Sequence, residues 1–235
     1  MKKVLTLAVA AALTSGAAMT HAYEAGDWVL RAGAVTVAPD TDSDAIEIPT
    51  SPATVLPNGV DVDNDTQVSL IGVFMATDHW GIELLAATPF SHDIELEDAP
   101  IDAGSTKHLP PTLSLQWYPR GGQDGWQPYL GIGINYTIFF DEDVDKELHG
   151  ALEGILGADL RKSELELDDS FGLTASAGVD IPLGENWAFN AGVWYMDIDT
   201  TAAVKVYPEA GGSAKVKFDV DIDPWVYNIG VAYKF

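Results

Sequence analysis

The chain has 235 residues, with 36 acidic side chains against 12 lysines and arginines, a net charge of −24, and no cysteine. A field of that sign repels phosphate backbones, so nucleic-acid binding is excluded; disulfides, thiolate nucleophiles and thiolate metal sites go with the missing cysteines. The length suits one large β domain or one to two ordinary ones.

Residues 1–22 begin Met-Lys-Lys, run apolar from Val4 to Leu13 and end in Thr20-His21-Ala22. A basic start, a short apolar run and a small-residue end mark a secretory signal peptide, so cleavage after Ala22 is expected, with Tyr23 as the first mature residue. Without Lys2 and Lys3 the balance is 36 acids against 10 bases, a net charge of −26. No other stretch approaches the ~18 apolar residues of a spanning helix. A mature protein in a membrane must then be a closed barrel, because only helices and barrels satisfy their backbone groups in lipid.

Eight alternating runs follow: Asp27 to Ala38, Thr66 to Thr77, Trp80 to Ile94, Pro111 to Tyr118, Pro128 to Phe140, Ser170 to Ile181, Trp187 to Asp199, and Pro224 to Phe235. Successive side chains of a strand point to opposite faces. In the last run Trp225, Tyr227, Ile229, Val231, Tyr233 and Phe235 share one face, against Val226, Asn228, Gly230, Ala232 and Lys234 on the other. The connections after the second, fourth and sixth runs are short, and the others are long and mostly acidic. Short periplasmic turns and long outer loops define an up-and-down transmembrane β-barrel with an even strand count, so the reading is an all-β, eight-stranded antiparallel outer-membrane barrel over residues 23–235. The long segment after the fifth run holds Val144, Leu148, Leu152 and Ile155 at helical spacing, which predicts a short helix near 144–156 ended by Gly157. Its role is to cap the outer mouth or to pack on a neighbouring loop.

Aromatic residues gather at run ends. Trp28, Trp80, Trp117, Trp187, Tyr233 and Phe235 are expected at the periplasmic interface, and Phe90, Tyr136, Phe139, Phe140, Tyr195, Trp225 and Tyr227 at the outer one. In a soluble sandwich such residues would scatter along strand middles. Tyr233 and Phe235 are further expected to serve as the C-terminal signal for the barrel assembly machinery.

Parity assigns the interior. Eight strands enclose a narrow space, either filled by side chains or holding one small ligand. The inward Gly131 and Gly133 are expected to leave room there, and Gly178 also faces in. Ile71, Val73, Leu85, Trp194, Met196 and Ile198 fall on the inner face, so the lumen is partly apolar. Such a lining suits an apolar solute; dense packing is the alternative. Arg31, Glu83, Asp180 and Lys234 are inward charges towards the periplasmic end, where ionised groups need partners. They are expected to pair into a polar plug, which would force a solute out sideways through the wall.

A family comes into view along the whole mature chain. The stretches E-A-G at 24–26, R-A-G at 31–33, M-A-T-D at 75–78, G-I-E-L-L-A-A-T-P-F at 81–90, H-L-P-P-T-L at 108–113, Q-W-Y at 116–118, G-I-N-Y-T-I-F-F-D at 133–141, W-Y-M-D-I-D-T-T-A at 194–202 and D-P-W-V at 223–226 resemble the outer membrane protein W family of Gram-negative bacteria. The resemblance implies an eight-stranded barrel that passes small hydrophobic molecules through a channel narrowed at Leu85 and Trp194, with lateral exit into the membrane. The chain departs from the family in the acidic segments 40–65 and 141–169.

The expected function is passive uptake of small hydrophobic molecules. The alternative is a structural or surface-interaction barrel without transport. Expected partners are outer-membrane lipids, lipopolysaccharide, small hydrophobic solutes and the assembly machinery; no cofactor, metal or nucleic acid is expected. A lipid enzyme would need a nucleophile and a base in reach of one another. Ser91 beside His108 is the pairing conceivable across runs three and four, while His92 and His108 otherwise read as solvated loop residues rather than a metal site.

Overall fold

The computed structural model describes residues 22–48, 50, 53–56, 59–97, 99 and 101–235; the expected signal peptide lies outside them except for Ala22. The period-two pattern becomes eight barrel strands: β1 (Trp28–Ala38), β2 (Asp65–Met75), β3 (Trp80–Ala87), β4 (Thr112–Trp117), β5 (Gln127–Val144), β6 (Ser170–Pro182), β7 (Trp187–Met196) and β8 (Trp225–Lys234). Each pairs antiparallel with the next, and β8 pairs with β1 to close the barrel. Every barrel strand is thus paired on both sides and none is an edge strand, which is the condition for strands to cross a membrane.

The two faces separate as alternation demands. Along β5, Leu130, Ile132 and Ile134 are exposed, while Tyr129, Asn135 and Thr137 are buried in the interior. Trp28, Trp80, Trp117 and Trp187 project outward near the short-turn end, and Tyr136, Tyr195, Trp225 and Tyr227 near the other. Two rings expected in the outer girdle are elsewhere: Phe90 and Phe139 are buried on the inner face above the barrel. Phe171, outward on β6, takes a girdle position that the sequence reading did not assign.

At the closing ladder Gly33 lies opposite Gly230. A Cβ on Gly33 would meet the Ile229 carbonyl oxygen at 2.2 Å, and one on Gly230 would meet that of Ala32 at 2.3 Å. Only glycine permits this approach.

The outer loops are folded. The third run does not continue to Ile94; it stops at Ala87, and Pro89, which carries no backbone N–H, separates it from a new hairpin, Phe90–Leu96 with Asp102–Leu109. That hairpin pairs with the far half of β5 on one side and with Val60–Val62 on the other. The seventh run likewise ends at Met196 rather than Asp199. Beyond it, Asp199–Pro208, Ala214–Asp221, Leu160–Leu167 and Asp42–Ser43 form a second sheet, and Ile46–Ile48 pairs with Thr54–Leu56.

The expected helix, α1, spans Lys146–Leu156. Asp145 caps its start by accepting from the Glu147 amide at 2.9 Å, and Gly157 ends it with φ 62°. Leu152 is buried, with Leu148, Ile155 and Leu156 packed beside it, so the helix lays its apolar stripe on the loop sheets.

Candidate functional site

The lower interior is ionic and buried. The guanidinium of Arg31 donates through Nη1 to Glu83 Oε2 at 3.0 Å, through Nη2 to Asp180 Oδ2 at 2.6 Å and through Nε to Asp180 Oδ1 at 3.2 Å. It also donates to the Tyr118 hydroxyl at 2.9 Å and lies 4.4 Å from the Tyr129 ring centroid. Gln116 Nε2 donates to Glu83 Oε2 at 2.5 Å, Asn190 Nδ2 to Asp180 Oδ1 at 2.8 Å, and the Tyr23 hydroxyl to Asp180 Oδ2 at 2.8 Å. All three charged residues are fully buried. Each charge thus has an opposite partner and the carboxylates accept several further bonds, the condition for keeping ions out of water.

Lys234 is not in this cluster. Its ammonium donates to the Ala22 carbonyl at 2.8 Å and lies 3.7 Å from Asp27, at the rim. A lysine at a strand end reaches solvent-side partners without desolvation, and inward parity does not hold it inside. Conversely, Gln116, Tyr118, Tyr129 and Asn190 join the cluster although the sequence reading did not select them. Inward parity was their signal; Tyr23 had none.

Above the ions the lining turns apolar. Leu85 stands two residues beyond Glu83 on β3, opposite Ile71 on β2 and Thr112 on β4. Trp194 is fully buried, and its indole N–H donates to Glu83 Oε1 at 3.1 Å, joining the ionic and apolar layers. Val73, Met196 and Ile198 are also buried. The inward glycines do not leave a void. A Cβ on Gly178 would meet the Tyr129 ring and hydroxyl at 2.3 Å, and one on Gly192 would meet the Trp194 ring at 2.7 Å. Their missing side chains make room for these two rings, so the middle of the barrel is packed.

Open space lies higher, inside the folded loops. A cavity of about 130 Å³ lies there between the hairpin, α1 and the second sheet, with Ile94, Phe139, Leu148, Leu152, Val206 and Phe218 among its walls. An engineered apolar cavity of roughly 150 Å³ takes up benzene, so this space has the size of a small organic molecule.

His92 and His108 also line this cavity, contrary to the expectation of solvated loop histidines. They are buried, and their rings stack with centroids 4.8 Å apart. Burial lowers the His108 pKa to about 3, with His92 pushing the same way, and burial lowers His92 as well. The hairpin register sets Phe90 opposite His108 and Ser91 opposite Lys107. Ser91 is exposed on the other face, so Ser91 and His108 do not form a nucleophile–base pair.

The wall is interrupted beside the cavity. The β2–β3 ladder runs from Met75 opposite Gly81 to Ser69 opposite Ala87, then resumes only at Val62 opposite Ile94. Backbone bonds hold both ends of this stretch, Thr88 N–H to the Val68 carbonyl at 3.0 Å and Asp63 N–H to the Asp93 carbonyl at 3.1 Å, and between them the strands are tied by side chains, Thr88 Oγ1 to Gln67 Oε1 at 2.8 Å and the Ser91 amide to Asp65 Oδ2 at 2.8 Å. Pro110 and Pro111 break the next strand at the same level, between the hairpin and β4.

A model described as the OmpW family matches residues 24–235. Outer membrane protein W of Vibrio cholerae is 41% identical over 233 residues, covering 97% of each chain. Outer membrane protein W of Escherichia coli is 41% identical over 236 residues, covering 100% of each. The crystal structure of outer membrane protein OprG from Pseudomonas aeruginosa has a TM-score of 0.77 at 42% identity, over 91% of this chain and 98% of that one.

Proposed function

The chain belongs to the OmpW family and is a barrel of the Gram-negative outer membrane, and from that premise we propose that it carries small hydrophobic molecules passively across the outer leaflet. The observation that supports this reading most is the apolar cavity above the barrel, directly beside a break in the wall. A solute enters the cavity from the loops. Leu85 and Trp194 form the constriction beneath, with Ile71, Val73, Met196 and Ile198 around them. The Arg31–Glu83–Asp180 cluster closes the way to the periplasm. The solute therefore leaves sideways, between Asp65–Gln67 and Pro89–His92, into the hydrocarbon. Lipopolysaccharide resists apolar solutes, so a greasy path past it needs no energy source. Tyr233 and Phe235, whose rings contact each other at 4.8 Å, serve as the recognition end for the barrel assembly machinery.

Uptake of a graded series of apolar solutes into proteoliposomes tests the proposal. Flux should exceed that of protein-free liposomes, and Leu85→Ala and Trp194→Ala should change it while heat-modifiable folding stays intact. Unchanged flux in both variants removes the constriction. The packed middle of the barrel favours a second reading, a surface-interaction barrel without transport, and flux no greater than that of bare liposomes would select it.

A further inference from the structure

We propose that the outer cavity selects small apolar molecules bearing one hydroxyl group, and that His92 and His108 are the residues that bind that hydroxyl. The proposal rests on reading the cavity as a solute site. Both rings belong to the hairpin, and His108 is held between Phe90 at 5.3 Å and Phe139 at 5.8 Å between centroids. His92 and His108 are 1% and 4% exposed, and the Nε2 of each is buried with no hydrogen-bond partner. An unpaired buried polar atom costs roughly 1–3 kcal/mol, and both rings line the cavity, so a ligand that reaches these two nitrogens supplies the missing bonds.

The chemistry of that ligand follows from the tautomer. His92 Nδ1 lies 2.5 Å from the Asp63 carbonyl oxygen. A carbonyl only accepts, so Nδ1 carries the hydrogen. The Nε2 of the neutral ring is then a bare lone pair that requires a donor. His108 is neutral too, and in its Nε2–H tautomer that nitrogen donates. A hydroxyl meets both demands: its O–H donates to His92 and its oxygen accepts from His108. Neither Nε2 reaches the cavity surface as the rings stand, so binding turns the two rings, whose centroids are 4.8 Å apart, towards the hydroxyl. A carboxylate has no hydrogen for His92. A metal ion would find only two nitrogens, since among the described residues the one cluster of three grouped ligands is Asp197, Asp199 and Asp223. The cavity volume of about 130 Å³ admits a phenol-sized molecule.

Phenol and toluene, which differ by hydroxyl against methyl, test this in lipid nanodiscs, with binding corrected for partition into protein-free discs. Wild type should hold phenol about tenfold more tightly than toluene, the value of one such bond. His92→Phe should lower the ratio, and His92→Phe with His108→Phe should bring it to about one, while toluene still binds. In wild type alone, imidazole ¹⁵N resonances should show His92 Nε2 accepting a hydrogen bond on adding phenol and not on adding toluene, a readout independent of whether the variant folds. Equal binding of the two compounds, or tight Zn²⁺ binding with no preference for phenol, overturns hydroxyl recognition and leaves the cavity as a solute site. Binding of neither compound overturns both readings.

Discussion

Arg31→Met removes the single cation from the buried cluster and keeps a chain of similar length. Two carboxylates are then left out of water without their counter-charge. Breaking one partner of a buried ion pair destabilises by about 3–5 kcal/mol. Arg31 has two such partners, donates to Tyr118 and stacks on Tyr129, so the upper end of that range is expected. The triple variant Arg31→Met, Glu83→Gln, Asp180→Asn removes the charges together and should be less destabilised than Arg31→Met alone. Neutral amides retain the bonds to Gln116, Asn190 and Trp194 in part, and replacing a whole buried ionic group is often close to neutral. Urea unfolding in lipid bilayers, followed by tryptophan fluorescence and by heat-modifiable migration, measures both. A loss below about 1 kcal/mol for Arg31→Met, within the range of exposed pairs, would refute the reasoning. So would a triple variant weaker than the single one.

Gly178→Ala should destabilise the barrel by about 1–3 kcal/mol through overpacking, because its Cβ would meet the Tyr129 ring at 2.3 Å. Gly72→Ala, with nothing within 4 Å, should stay within about 0.5 kcal/mol in the same unfolding assay. Acid should loosen the loop hairpin, because His108, held at about 3 in the folded state, takes up a proton near 6.5 once the hairpin opens. Stability is therefore present above about pH 6.5 and is lost progressively as pH falls towards 3, by about 2 kcal/mol at pH 5. Hydrogen exchange of the Phe90–Leu96 amides should lose protection over that window, and His108→Phe should weaken the dependence, leaving the part due to His92.

The barrel was legible in the sequence because lipid enforces it. Each spanning strand must alternate without error, so Leu130, Ile132 and Ile134 against Tyr129, Asn135 and Thr137 settle the face of β5 before any contact is known. Inward placement of Leu85, Trp194, Arg31, Glu83 and Asp180 followed from the same parity. Parity does not tell how far a side chain reaches, which is why Lys234 was assigned inside while its ammonium binds at the rim. Nor does it tell whether a glycine leaves a hole or admits a neighbour, as Gly178 admits Tyr129. The outer sheets were hidden for a different reason. Val60–Val62 and Ile46–Ile48 are too short to carry a period of their own, and only pairing with distant segments makes them strands. The burial of His92 and His108 depends on that same folding of the loops, so acidic neighbours made them read as solvated.

The opposed glycines where β1 meets β8 bear on how the cylinder is sealed. These strands stand at the two ends of the sequence, so bringing them together closes the largest loop in the chain. A slip of one residue there would turn every side chain to the wrong face and be rejected by lipid. A slip of two would keep inside and outside correct, and hydropathy would not detect it. It would, however, set Gly33 against Asn228 or Ala232, and neither admits a backbone where glycine does. The bare pair thus works as a keyed notch, admitting the right alignment and refusing the even-numbered error that greasiness alone lets through.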